Sequence, residues 1–279
     1  MKNYGIRELE KKSIELKKKV ISMIYKAQSG HPGGSLSAAD YVTALYFQEL
    51  NIDPQNPKWE DRDRFVLSKG HVCPIQYAAL ATRGYFDESE LDTLRQEGSK
   101  LQGHPDMNKC PGIDISTGSL GQGLACGVGM AISAKRDEKT YRVFVVVGDG
   151  ECQEGEIWEA AQTAYKYKLD NLIVFVDNNN LQIDGITDVV MPNIHLGKKF
   201  EAFGFDMYEI NGHDMQAIVD TLARIKMSKN GKPKCIFANT VKGKGVSFME
   251  NECGWHGTAP NREQYIAAIK ELDEQLKAY

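Results

Sequence analysis

Residues 143–155 read VFVVVGDGECQEG. Val143 to Val147 run without a polar interruption, and Asp149 then stands alone between two glycines. Such a run lacks the alternation of a half-exposed strand and predicts a parallel strand covered on both faces. LIVFV, residues 172–176, repeats the pattern and ends on DNNN, residues 177–180. Between the two runs Ile157, Trp158, Ala161, Ala164 and Tyr165 follow helical spacing. This is a strand–helix–strand unit with an expected right-handed crossover, so both strands end on the sheet edge where ligands of such folds bind. Asp149 and one of the asparagines 178–180 are therefore expected to meet. A carboxylate, an amide oxygen and a backbone carbonyl form a hard donor set that suits Mg²⁺ or Ca²⁺, with phosphate oxygens and water completing about six positions. Gly150 lets the chain approach a phosphate, and a helix following it would direct free N–H groups there. Asp149 read only as a cap of that helix accounts for GDG but not for the asparagines at the next strand end.

Working outward, MYEI (residues 207–210), a helix from about Asp214 to Met227 and CIFAN (residues 235–239) form a further alternating unit. The alternation indicates an α/β fold with a largely parallel sheet. Near the N-terminus Ile6, Leu9, Leu16, Val20, Met23 and Ala27 mark an amphipathic helix, with Ser13 out of pattern, lysine runs on a solvated face and Gly30 as the stop. A second helix is expected from Ser37, with Ser37-x-x-Asp40 as a capping box, towards Glu49. FVLS (residues 65–68) reads as a short strand, followed by a helix after Pro74 that ends near Gly84. STGSLGQGLACGVGMAISAK (residues 116–135) reads as a loop and a helix of small residues, and Asn261-x-x-Gln264 opens a C-terminal helix. No low-complexity linker or internal repeat divides residues 1–279, which are expected to form one domain.

The chain has 279 residues and a formal net charge of −4, so it has no basic field to hold nucleic acid. Its six cysteines form no CxxC pair and no signal-like apolar region follows Met1, which together predict reduced thiols and a cytoplasmic location. No apolar run approaches membrane-spanning length. A Walker-type nucleotide site is disfavoured because no GxxxxGK[ST] occurs.

Four of the six histidines, His31, His71, His104 and His256, stand in SGHPGG, SKGH, QGHP and GWHG. Glycine-flanked loops of this kind bring an imidazole to a cleft. None has the i,i+4 spacing of a zinc pair, so proton shuttling or bonding to substrate hydroxyls fits better. His213 in NGHD reads as part of a turn and helix cap, and His195 as structural. In KGKG, Lys242 and Lys244 suit either phosphate support or a solvated loop. The surrounding stretch TVKGKGVSFMENECGWHG (residues 240–257) has the length and glycine content of a functional lid.

GDGECQEG followed by DNNNLQIDG resembles the thiamine diphosphate motif. QSGHPGGSLSAAD, DRFVLSKGH, GHPD, STGSLGQG and GWHG stand in the order found in transketolases, across nearly the whole chain. This resemblance to the transketolase family implies a three-layer thiamine diphosphate-binding fold of the diphosphate-binding type. It implies Asp149 and Asn179 as side-chain ligands of Mg²⁺ (Ca²⁺ or Mn²⁺ being alternatives) and Leu181 as the carbonyl ligand. It places Gly150 at the diphosphate, Gly118 and Leu120 along the aminopyrimidine, Ile183 beside the cofactor and Glu154 near a subunit interface. His31 and His256 would contact sugar hydroxyls and assist proton transfer, His71 would lie near the diphosphate with His256 also at the cofactor, and His104 would bind the hydroxyl end of the donor.

The implied activity is transfer of a glycolaldehyde unit from a ketose phosphate to an aldose phosphate, in the pentose phosphate pathway by default. In the family an activating glutamate lies in a pyrimidine-binding domain beyond the position corresponding to GWHG. A separate C-terminal subunit carrying that domain is the expected partner, in an α₂β₂ heterotetramer. An alpha-type subunit of a 2-oxo acid dehydrogenase would share GDG and the asparagine without needing GHPGG, SKGH or STGSLGQG. A non-catalytic cofactor-binding module is the third reading.

Overall fold

The sheet follows the expected alternation. The strands are β1 (Arg64–Leu67), β2 (Val143–Gly148), β3 (Leu172–Asn178), a small hairpin of β4 (Leu181–Gln182) and β5 (Gly185–Ile186), β6 (Asp206–Asn211) and β7 (Lys234–Asn239). The structure is a computed structural model and describes residues 4–279. The main sheet runs β1-β2-β3-β7-β6, and every pair in it is parallel.

Residues of the central strands alternate between two cores, as a period of two requires. Phe144, Val146, Ile173, Phe175 and Ile236 pack into one. That core is shared with α1 (Ile6–Ala27), α2 (Pro32–Ala44) and α3 (Cys73–Arg83). Val143, Val145, Val147, Leu172, Val174, Val176 and Cys235 face the other core. There they meet α4 (Gln122–Arg136) and α5 (Gly155–Lys166). Beyond the short α6 (Thr187–Val190), α7 (Leu196–Ala202) joins this second face, whereas α8 (Met215–Met227) and α9 (Arg262–Leu276) join the first. The result is a sheet between two helical layers, with continuous hydrophobic strands because both faces are covered. The small residues of α4 serve close approach: a Cβ on Gly127 would lie 2.5 Å from Val145 Cγ2.

Several local expectations are corrected. Helix α1 ends at Ala27, and the left-handed cap is Gln28, at φ 49°, rather than Gly30. Helix α2 begins at Pro32, not at Ser37, because Pro at the first helical position is pre-set for the helix. Ser37 therefore lies inside the helix, where its hydroxyl donates to Gly34 O and to Asp177. Asp40 is buried against Lys17 and His213 instead of completing a capping box. Lys17 accordingly leaves the solvated face assigned to the lysine runs, and Ser13, the residue out of pattern, donates to the same Asp40. The Asn261–Gln264 capping box is present. No helix among the described residues is long and apolar enough to cross a membrane.

Candidate active site

At the carboxyl ends of β2 and β3 the chain opens into a cleft of about 340 Å³. Asp149, Gly150, Asn179 and Leu181 line it together with Gly118, Leu120, Glu154 and Ile183. The strand pairing that aligns Gly148 with Asp177 brings the two tips side by side. Asp149 accepts hydrogen bonds from Gly150 N at 2.8 Å and Asn180 N at 2.6 Å, with Thr187 Oγ1 at 3.5 Å. No lysine or arginine forms an ion pair with it among the described residues. Burial, reinforced by the charge of Asp177, pushes its pKa up to about 6. This is an anion held in a dry place by neutral donors.

Asn179 is held the other way round. Its amide nitrogen donates to Asp177, at 3.4 Å, and its Oδ1 accepts Leu181 N at 3.2 Å. The Leu181 carbonyl takes the Lys242 ammonium at 3.1 Å. Lys242 also donates to His256 Nδ1 at 3.0 Å. Burial and the neighbouring Lys69 bring the Lys242 pKa down to about 8, against the pull of Asp149 and Asp177. Lys244, by contrast, pairs with Glu250 at 3.2 Å and is absent from the cleft lining. The structure thus separates two lysines that are equivalent in sequence.

Three histidines converge opposite these groups. The rings of His31 and His71 lie 5.0 Å apart, those of His31 and His256 5.4 Å, and those of His71 and His256 5.2 Å. Burial is the first cause of lowered pKa in each, with nearby cations adding to it. His31 falls to about 4 beside Arg95, His71 to about 2 beside Lys69, and His256 to about 3 beside Lys242. At neutral pH they are uncharged imidazoles, each with one donor and one acceptor nitrogen. His104 stands at the rim: its ring packs under Gly118, where a Cβ would lie 2.9 Å from His104 Cδ2. Gly118 also has φ 143°, so no other residue fits there without strain.

The segment expected to be a lid is a packed wall. Val246 and Met249 are fully buried, Gly243 N donates to Gly33 O, and Cys253–Trp255 form a 3₁₀ turn that delivers His256. The helix after Gly150 is likewise displaced. A 3₁₀ turn, Glu151–Gln153, comes first and α5 starts only at Gly155. His195 lines a separate groove beyond Asp149, with Asn193 and Lys198. His213 does not reach the cleft lining, and Asp214 rather than His213 caps α8.

The family model described as "Transketolase, thiamine diphosphate binding domain" matches residues 10–273. The chain belongs to the transketolase family. It is 43% identical to a protein of Phocaeicola vulgatus named as one of the subunits of an apulose-4-phosphate transketolase, over 98% of this chain and 96% of that protein. It is 44% identical to the "6-deoxy-6-sulfo-D-fructose transketolase subunit SqwG" of Clostridium sp., over 96% and 97%. Among solved structures, the transketolase of Campylobacter jejuni superimposes with a TM-score of 0.91 at 36% identity, covering 98% of this chain and 43% of that one. This transketolase-family chain therefore spans less than half of the Campylobacter chain but nearly all of the two relatives named as subunits. The match selects the transketolase reading over a 2-oxo acid dehydrogenase subunit.

Sequence reasoning missed the groups beneath the transketolase cleft. Asp177, fully buried, pairs with Lys69 and accepts from Ser37 Oγ at 2.6 Å and from Thr240 Oγ1. Glu151 is 3% exposed and accepts from Gly121 N at 2.9 Å, Gly148 N at 3.0 Å and Ser68 Oγ. It thereby ties the Gly118–Gly121 loop and the end of β1 to the tip of β2. Burial pushes its pKa up, against these donors. Lys69 lies in SKGH and Asp177 opens DNNN, so both stand in recognisable motifs. Their pairing has no local signal.

Proposed function

We propose that this chain is the N-terminal, cofactor-binding subunit of a two-chain transketolase. In this reading it transfers a two-carbon ketol unit from a ketose phosphate to an aldose phosphate. The observation that supports it best is the convergence of Asp149, Asn179 and Leu181 with Lys242 and three neutral histidines in one cleft of a thiamine diphosphate-binding domain. The donor chemistry fits the group. Asp149 is a buried carboxylate without a cation of its own, and Lys242 already places a positive charge on the Leu181 carbonyl. A divalent ion such as Mg²⁺ would take Asp149, Asn179 Oδ1 and Leu181 O as hard oxygen ligands. Lys242 and the approach at Gly150 would serve the diphosphate.

The chemistry that thiamine diphosphate supplies when bound is an electron sink beside a carbonyl carbon. This chain's residues surround that chemistry. Arg95 Nη2 faces His31 Nδ1 at 3.4 Å and Lys242 holds His256 Nδ1, so in both rings Nε2 carries the proton offered to a substrate hydroxyl. His71, next to both rings and beside Lys69, would serve the diphosphate end, and the rim position of His104 suits the terminal hydroxyls of a sugar. Leu120 and Ile183 are 36% and 68% exposed at the cleft, and Ile186, Val189, Met191 and Ile194, close to Ile183 in sequence, are exposed as well. An apolar surface of this kind next to a polar site invites a partner. The relatives named as subunits support a separate partner chain; in this reading that chain carries the pyrimidine-binding domain and its activating acid, in an α₂β₂ assembly. Six free cysteines fit a reducing, cytoplasmic setting.

The test is reconstitution. The purified chain should bind thiamine diphosphate with Mg²⁺ but show no ketol transfer until a protein carrying the pyrimidine-binding domain is added. Full turnover by the chain alone would defeat the two-subunit proposal, and failure to bind the cofactor in either state would defeat the site.

A further inference from the structure

Outside the cleft, the molecule contains a buried chain of charged and polar groups that the proposed reaction does not use. Asp40, on α2, accepts the Lys17 ammonium at 2.9 Å and the Ser13 hydroxyl from α1. Its Oδ2 faces His213 Nδ1 at 2.7 Å, and His213 Nε2 accepts the backbone N–H of Val241 at 2.8 Å. The two side chains are 10% and 12% exposed. An imidazole that accepts through Nε2 must carry its proton on Nδ1, and that proton is what Asp40 receives. Burial would raise the Asp40 carboxyl, but Lys17, His213 and Ser13 outweigh it and hold it well below the ordinary range. The tautomer is thereby set by the charge behind it.

The bond ends one residue before Lys242. On either side, Thr240 N donates to Asn178 O and Gly243 N to Gly33 O. The backbone that carries Lys242 is thus pinned from four directions: by β3, by the start of α2, by Asn251 N on the Lys242 carbonyl at 2.9 Å, and by His213. The His213 bond is the one made by a side chain whose acceptor is oriented by a separate ion pair. A lysine that must reach both the Leu181 carbonyl and His256 needs a fixed stem, because its own side chain has four rotatable carbons.

We infer that His213 is a positioning residue for the cofactor site: the Asp40–His213 pair fixes the Val241 amide and so aims Lys242 into the cleft. This rests on the reading of Lys242 as a diphosphate ligand. An acceptor removed from a half-buried N–H leaves that N–H without its partner, and the segment must shift to find water. Lys242 would then lose its reach without any loss of its charge.

The experiment is a double-mutant cycle read by calorimetric titration of the full chain with thiamine diphosphate and Mg²⁺, with the melting temperature of each variant as the structural control. His213→Leu keeps most of the ring's volume without its acceptor, and His213→Gln offers an amide oxygen where Nε2 stands. We expect His213→Leu to weaken binding about 10-fold and His213→Gln to stay within about 2-fold of the parent. On a Lys242→Met background His213→Leu should add nothing further, because both changes remove one contribution. A His213→Leu variant that binds like the parent overturns the inference, as does a loss that multiplies with that of Lys242→Met. If His213→Leu fails to fold, His213→Gln carries the test, and a 10-fold loss there is contrary to it. A parent chain that takes up no cofactor refutes the reading of the cleft itself. A parent that binds while Lys242→Met is silent refutes only the role of Lys242 and the inference built on it.

Discussion

Asp149 and Asp177 stand at the tips of adjacent parallel strands, and both are buried, yet they are opposite in character. Asp177 is surrounded by Lys69, Ser37, Thr240 and the Asn179 amide. Burial alone would raise its pKa, but Lys69 and these donors hold it below the ordinary value. Asp149 has two backbone N–H donors and a distant hydroxyl, and burial pushes it up to about 6. The first acid is satisfied by its own protein and serves as a foundation. The second is left short of positive charge, so its burial is not compensated from within. A charged group buried without a partner costs stability, and sites that bind ions accept that cost.

The largest test of this contrast is a pair of alanine variants. Asp177→Ala leaves Lys69 buried without its counter-ion and should cost about 3–5 kcal/mol in denaturant unfolding. Asp149→Ala should change unfolding by no more than about 1 kcal/mol, because the relief of a buried charge is offset by two N–H groups left without an acceptor. The same variant should weaken Mg²⁺-dependent cofactor uptake by a factor of about 100 or more. Equal losses of stability in the two variants would erase the distinction.

A smaller effect lies in pH. Because the folded pKa of Asp149 is raised, its contribution favours the fold below the unfolded value of 3.8 and is lost as pH rises through about 6. The interval of 6 − 3.8, or 2.2 units, corresponds to roughly 3 kcal/mol. Metal-free Asp149→Asn, which keeps an acceptor oxygen, should therefore gain on the parent between pH 4 and 7 in unfolding measurements. The contribution of Asp177 has the reverse sign: it is in place above pH 3.8 and fades as pH falls below it. A flat difference between Asp149→Asn and the parent across that window would show that the cation deficit at Asp149 is not felt by the fold.

The smallest effect belongs to Lys244. Its partner Glu250 lies away from the cleft lining, and an exposed pair of this type contributes little. Lys244→Ala should leave cofactor affinity within about 2-fold of the parent by the same titration. A larger loss would mean that the cationic reach of the KGKG loop extends beyond Lys242.

What is legible in sequence follows the same division. Asp149 can be found because a strand that ends in an acid, beside a neighbouring strand that ends in amides, leaves a local signature; Asn179 and Leu181 are singled out only by the family resemblance. The glycine-flanked histidines are visible for a similar reason, whereas Gly118 is named only by the family resemblance and its positive φ appears only in the structure. Asp177 opens the same DNNN, but its partners Ser37, Lys69 and Thr240 are 140, 108 and 63 residues away. His213 reads as a turn residue because its counterpart Asp40 is 173 residues distant. Ser37 and Asp40 carry a local capping pattern that Pro32 overrides by starting the helix earlier.

From its residues alone this chain determined its buried parallel strands, the sheet edge on which the cleft opens and the ordered motifs of its family. Each depends on backbone preference and side-chain period over a few neighbours. Which buried charge is neutralised from within, which is left without a counter-ion, and which of two nearby lysines enters the cleft were decided only in three dimensions. Electrostatic partners are chosen by proximity after packing, and that proximity is not written in sequence distance.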